Sequence, residues 1–207
     1  MTKKQAATAA RDRLDIATVV RAAVELLDEK GADAVSVRGT ADRLGVRMNT
    51  VLWHAKTKAR LLELMADAIV AEVALTALPE QWQERVLELA QRYRTTLRGH
   101  RDGAALVAGT YAAEPATLRF ADTMVQALLE GGLPPREAAW TCWNIVYFVL
   151  GLTQEEQALP TADRQHFAEA LATGHHPSLA RIVEHLDGDS FDERFRYGIN
   201  RFLAASP

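Results

Sequence analysis

Between residues 38 and 58 the chain places Arg38, Arg47, Met48, Asn49, Thr50, Trp53, His54 and Lys58. A guanidinium or an amide can pair with a base edge through two hydrogen bonds, and hydroxyl, indole, imidazole and ammonium groups can hold phosphate oxygens. On this basis Arg38 reaches a guanine edge or a phosphate, and Met48 and Asn49 point toward bases. Thr50, Trp53, His54 and Lys58 hold the backbone, and Arg47 faces outward beside them.

These side chains need a short rod that fits a duplex groove, and the flanking sequence supplies one. Asp15 is a cap candidate for a first helix with Ile16, Val19, Val20, Ala23, Leu26 and Leu27 at helical spacing, closed by Gly31. Ser36 caps a second helix with an inner stripe of Val37, Ala41 and Leu44, stopped at Gly45, where a left-handed residue is cheapest. Val46 returns to the core, and a third helix runs from about Arg47 to His54 with Val51 inward. Two short helices around a glycine turn, the second polar on its outer side, form a helix-turn-helix.

Charge is uneven along the chain. Residues 1–60 hold twelve Lys or Arg against seven Asp or Glu, a surplus of five; with a net charge of −3 overall, the remainder carries −8. A basic front on an acidic body suits a polyanion at one end only.

Behind the front, a long amphipathic helix is expected over 58–75, built on Leu61, Leu62, Leu64, Met65, Ala68, Ile69 and Val73 and serving as a connecting rod. Leu78-Pro79 then breaks the pattern. Further helices are expected at about 80–98, 103–110, 114–131, 135–157, 177–186 and 189–204. Leu179, Ile182, Val183 and Leu186 would line the first of the closing pair, and Phe191, Phe195, Ile199 and Phe202 would stripe the second. Residues 138–152 are apolar nearly all round, which calls for cover from a second subunit. The expected fold is all-α: a three-helix DNA-binding domain at 1–60, with a basic N-terminal arm, and a helical body at 61–207 that senses and pairs with a second subunit.

Several chemistries are argued against. Cys142, the one cysteine, excludes an intrachain disulfide and a four-cysteine zinc site and reads as core filling. Glu155 and Glu156 are adjacent, so on a helix they diverge by ~100° and cannot share one site. His166, His175 and His176 lack a second ligand pair at metal spacing. No nucleophile triad, phosphate-cradling glycine loop or HExxH pattern occurs. The expectation is no enzyme, no catalytic residue, no cofactor and no metal. With no apolar run of ~20 residues and no secretory signal, it is also no membrane insertion and a cytoplasmic location.

Leu44-Gly45-Val46 followed by Thr50-Val51-Leu52-Trp53-His54-Ala55-Lys56-Thr57-Lys58 resembles the DNA-binding domain of the TetR family of transcriptional regulators. His100-Arg101-Asp102-Gly103-Ala104, Gly109-Thr110, and Tyr147-Phe148-Val149-Leu150-Gly151 with Glu155 and Gln157 are similar to stretches of the effector-binding domain of tetracycline repressors. The resemblance spans about residues 15–203. It implies a homodimer paired through the helices near 135–157 and 189–204, double-stranded operator DNA as partner, and a small-molecule cavity in each body. By position that cavity maps to Tyr93, Val107, Thr110, Tyr111, Trp143, Tyr147 and Glu155.

Departures matter as much. The magnesium-binding histidine of tetracycline repressors falls on Val107, a drug-gripping amide on Leu89 and a drug-contacting histidine on Ala74. A valine cannot ligate a hard cation, so a metal-chelated tetracycline is not the expected effector. Leu52 replaces the family's frequent tyrosine, which removes one contact to DNA. The aromatic cluster Tyr93, Tyr111, Trp140, Trp143, Tyr147 and Phe148 reads either as core and dimer interface or as the lining for an apolar or aromatic ligand.

The expected function is a ligand-responsive repressor released from a pseudo-palindromic operator by its effector. Alternatives are an activator or a regulator without inducer, a helical interaction scaffold with a merely solvated basic front, and a helical enzyme with a basic surface.

Overall fold

A computed structural model describes residues 14–110, 113–158, 176–183, 185 and 190–204. Asp15 starts α1 (Ile16–Lys30) by accepting the Thr18 N–H at 2.8 Å. Those bonds from Thr18 hold its carboxyl below the usual carboxylate range. Val19, Ala23, Leu26 and Leu27 form the buried stripe of α1, and Gly31 closes it with a positive φ of 82°. A single 3-10 turn, Ala32–Ala34, leads to the second cap, Ser36, whose Oγ accepts the Gly39 N–H at 2.9 Å.

α2 (Val37–Leu44) ends at Gly45, which sits in the left-handed region at φ 65°, ψ 30°. Nothing lies within 4 Å of a Cβ built on Gly45, so its requirement is conformational rather than steric. α3 (Met48–Ala55) follows, anchored by Val51 and Ala55, neither of which has any exposed surface. α4 (Lys58–Val70) is capped by Thr57 and buries Leu61, Met65 and Ile69 completely. α1 packs on α2, α3 and α4, which closes the three-helix reader around one apolar centre.

The long rod expected over 58–75 is shorter, because α4 stops at Val70. Beyond it the Glu72 and Val73 N–H groups bond carbonyls three residues back at 3.1 Å, the tightened pattern of a closing turn. The Glu72 carboxylate lies 3.2 Å from His100 Nε2.

The remaining described helices are α5 (Trp82–Gly99), α6 (Gly103–Ala108), α7 (Pro115–Glu130), α8 (Pro135–Ala158), α9 (Pro177–Ala180) and α10 (Phe191–Ala204). Among the described residues there is no strand, and no helix is long and apolar enough to cross a membrane. The chain forms two compact units, one comprising residues 1–76 with 95–123, the other 77–94 with 124–207.

Within the first unit the segment after α5 is fastened to the reader. His100 places Nδ1 3.1 Å from both Asp28 oxygens, and the Arg101 N–H donates to the same carboxylate at 3.2 Å. Asp102 accepts the Ala32 N–H at 2.8 Å, just past the end of α1. Arg60 pairs with Glu63 and Glu114, and Asp67 accepts both the N–H and the hydroxyl of Thr117 at 2.7 and 2.9 Å.

Within the second unit α8 packs against α10. Ala138, Cys142, Ile145, Val149 and Leu152 recur every three or four residues and face inward, as do Phe195, Ile199 and Leu203 of α10. Arg94, with no exposed side chain, donates to Glu156 at 2.8 Å and Asp192 at 2.5 Å and lies 5.2 Å from the Phe195 ring centre. Burial pushes the Cys142 thiol up to about 11, consistent with an inert core filler. The opposite side of α8 is bare in the single chain: Trp140, Trp143 and Tyr147 are 56%, 42% and 62% exposed.

Of the helix expected over 177–186, α9 accounts for Pro177–Ala180; Leu179 and Ile182 are exposed in the single chain and Val183 is half-buried. The basic arm with Lys3, Lys4, Arg11 and Arg13, Tyr111, His166, His175 and Leu186 lie outside the described residues.

Candidate DNA-reading surface

Anchoring Val51 and Ala55 in the core fixes which side of α3 remains outside. Arg47, Met48, Asn49 and Trp53 are exposed there, and Thr50 and His54 are half-buried. Arg47, Asn49, Thr50, Trp53 and His54 line one shallow concavity of about 490 Å³, together with Leu14. Six of the eight residues singled out in the sequence therefore belong to α3 and its cap, and five of them share one hollow.

Trp53 is 69% exposed, stands edge-on to the His54 ring at 4.7 Å, and carries the Lys56 ammonium 5.5 Å from its centre. Lys56 also donates to the Trp53 carbonyl at 2.7 Å. Arg38, on the first turn of α2, is exposed and lies 4.0 Å from Asp42. Lys58 is exposed at the start of α4.

Not every cation counted in the basic front is available to a polyanion. Arg43 is clasped by Glu29 at 2.6 and 2.8 Å and by Glu25 at 3.1 Å. The hydrogen bond from Arg43 holds the Glu29 carboxyl below its usual range. Arg60 is held by Glu114 and Glu63, which keep its guanidinium charged more firmly than usual. A residue count treats these two like the rest; the acidic residues that separate them lie eighteen, fourteen and fifty-four positions away, with Glu63 three residues on as a further partner of Arg60.

Leu14 was missed by the sequence reading. Its signal was its place directly before the Asp15 cap, where a preceding apolar residue packs back on its helix. The Asp28–His100–Glu72 cluster was missed too, because its members lie 72 and 28 residues apart.

The effector positions inferred by resemblance are distributed over both units. Val107 and Thr110 are half-buried in the unit that holds the reader, with the Thr110 hydroxyl donating to the Val107 carbonyl at 3.0 Å. Tyr93, Trp143, Tyr147 and Glu155 belong to the other unit. Tyr93 is buried, which raises its phenol pKa and keeps it neutral. Trp143 and Tyr147 stack at 5.4 Å and are exposed in the single chain. Glu155 pairs with Arg194 at 3.4 Å while Glu156 turns to Arg94, so the two adjacent carboxylates serve different arginines. Among the described residues no group of three His, Cys, Asp or Glu could hold a metal ion.

Known proteins match both parts of the chain. Residues 19–65 match the bacterial regulatory proteins of the tetR family, and residues 75–205 match the tetracyclin repressor-like C-terminal domain. The class G tetracycline repressor protein of Vibrio anguillarum is 32% identical over 196 residues, covering 93% of each chain. A possible TetR family regulator from Streptomyces coelicolor A3(2) superposes with a TM-score of 0.81 at 35% identity, over 92% of this chain and 97% of that one. The S. coelicolor TetR family protein ActR, crystallised with actinorhodin, gives a TM-score of 0.78 at 25% identity, over 93% and 94% of the two chains. With both halves matched and an outward-facing reading helix set on a buried anchor, the chain belongs to the TetR family of transcriptional regulators.

Proposed function

We propose that the protein is a homodimeric repressor that leaves a pseudo-palindromic operator when a small molecule binds its C-terminal body. The reader comprises residues 1–60 and the effector and dimerisation region 61–207. The observation that carries this reading is the hollow on α3, where Arg47, Asn49, Thr50, Trp53 and His54 converge. Arg38 reaches a guanine edge or a phosphate, Met48 and Asn49 approach bases, Arg47 faces outward beside them, and Thr50, Trp53, His54 and Lys58 hold phosphates. Two such helices on a dimer meet half-sites about 34–36 Å apart, or a multiple of that. A regulator of this kind works in the cytoplasm.

The effector site is proposed at Tyr93, Val107, Thr110, Tyr111, Trp143, Tyr147 and Glu155. An aliphatic side chain at 107 and tyrosines at 93 and 147 favour a largely apolar or aromatic ligand, held by a few hydroxyls, over a metal chelate. Val107 and Thr110 share a compact unit with the reader, and His100 and Asp102 pin the same segment to α1. An effector that displaces this segment therefore strains the reader directly. It shifts the equilibrium only by the difference in its affinity for the DNA-bound and released states.

The test is binding of duplexes selected from fragmented genomic DNA, measured at several salt concentrations. A steep fall of affinity with log salt and a footprint over a promoter are expected; salt-independent or absent binding overturns the reading. A footprint upstream of the promoter, with transcription rising on binding, would instead assign an activator.

A further inference from the structure

The arginines around the reading hairpin differ in what already holds them. Arg43 makes three hydrogen bonds to Glu25 and Glu29, and Arg60 is clasped by Glu63 and Glu114. Arg38 lies at 4.0 Å from Asp42, with both side chains largely in water. Arg47 is exposed and, among the described residues, has no carboxylate partner. It is also the residue that opens α3, with backbone φ −78°, ψ 148°, and its carbonyl accepts the Thr50 N–H at 2.8 Å. Its side chain borders the hollow shared with Asn49 and Thr50.

We infer that Arg47 is the specificity-determining residue of the reading surface and that it requires one guanine in each operator half-site. This rests on the DNA-reading role proposed above. In a helix-turn-helix the first residues of the second helix reach base edges, and Arg47 occupies that place. Guanine offers O6 and N7 in the major groove as a pair of acceptors, which the planar guanidinium fork meets with two parallel N–H donors. An arginine already committed to two carboxylates would have to give up those bonds first. Arg47 gives up only water, so the full contact contributes to discrimination.

Phosphate gripping by Arg47 would look different. A phosphate contact weakens every sequence alike when it is removed and lowers the salt slope, whereas a base contact relaxes the preference at one position. A lysine at 47 would keep the charge but lose the fork, so it separates the two roles.

The experiment is selection from a pool of duplexes with randomised half-sites, using the full-length wild-type chain, Arg47→Ala and Arg47→Lys. The wild type is expected to enrich a palindrome with one fixed guanine per half-site, and both variants to enrich the same palindrome with that position relaxed. On the wild-type site, 7-deazaguanine at that position removes the N7 acceptor. It should weaken the wild type roughly 5- to 150-fold per half-site and leave Arg47→Ala nearly unchanged. Unchanged thermal melting of both variants verifies that the fold is intact, as expected for an exposed side chain. Retention of the guanine by Arg47→Ala, or uniform weakening with a shallower salt slope, overturns the assignment while leaving DNA reading in place. Failure of the wild type to enrich any duplex overturns the DNA-reading role, and the assignment with it.

Discussion

α3 and α8 each present a face that the single chain does not cover, but the two faces are chemically opposite. On α3 the uncovered side carries Arg47, Asn49 and Trp53 beside Thr50 and His54, set on a buried base of Val51 and Ala55. On α8 it carries Trp140, Trp143 and Tyr147, set on a buried ridge from Ala138 to Leu152. A mostly polar face is well solvated and can wait for an occasional partner. An aromatic face is different: fully burying one large apolar side chain stabilises by about 1.5–3 kcal/mol, so leaving three exposed forgoes several. The contrast indicates that α3 suits a partner that comes and goes, whereas the aromatic side of α8 calls for lasting cover, which a second copy of the proposed dimer would supply.

The largest expected effect breaks the covered face. Trp140→Glu puts a carboxylate where a second copy would sit, and Arg136, now 4.2 Å from the Trp140 ring centre, would pair with it at the surface. Sedimentation should show a monomer, and operator affinity should fall by roughly 10²- to 10⁴-fold, because the second half-site is no longer bound within one assembly. A variant that stays dimeric with undiminished affinity would remove the contrast between the two helices.

Next in size is the buried side of the second unit. Arg94→Ala removes a fully buried guanidinium shared by Glu156 and Asp192; with the Asp192 side chain 71% exposed, the loss in thermal or urea unfolding is expected to be about 1–3 kcal/mol. Arg94→Met, which refills the space without a charge, should recover part of that loss. Equal loss in both would mean that charge rather than packing holds α8 and α10 together.

Asn49→Ala tests the polar face. Loss of a paired amide–base contact is expected to weaken specific binding by about 1–3 kcal/mol, with melting temperature and dimerisation unchanged. Arg38→Ala should cost less, since Asp42 already offsets part of its charge at 4.0 Å. An equal or larger effect from Arg38 would move the centre of reading from α3 to α2.

The reader was legible in the sequence because its signals are local. Asp15, Ser36 and Gly45 mark helix ends within three or four residues of the groups they satisfy, and each does so in the structure. Val51, expected to face inward, marks the outward side of α3 in the same way, and Ala55 joins it in the core. What was not legible depends on distant partners. Glu72 meets His100 just past the end of α4, and Arg43 and Arg60 of the basic front are held by Glu25, Glu29 and Glu114. No periodicity within a helix encodes such pairings. The effector positions are the least legible, because they rest on resemblance, and Trp143 and Tyr147 have an equally physical reading as interface aromatics.

The smallest predicted effect separates shape from contact within the reader. Ser36 touches DNA in neither reading; its Oγ caps the Gly39 N–H, and its carbonyl accepts the Thr40 hydroxyl at 2.9 Å. Ser36→Ala should therefore destabilise by about 1 kcal/mol, the usual cost of losing an N-cap. α2 packs on both α1 and α3, so a frayed first turn loosens the support of α3 without altering any group on its outer face. Operator affinity should then fall slightly and equally for all sequences, and added effector should still release the DNA. A change in which base is preferred would show that the angle at which α3 is held, and not only the side chains it carries, selects the operator. In that case the polar face of α3 would be less independent of its scaffold than the contrast with α8 requires.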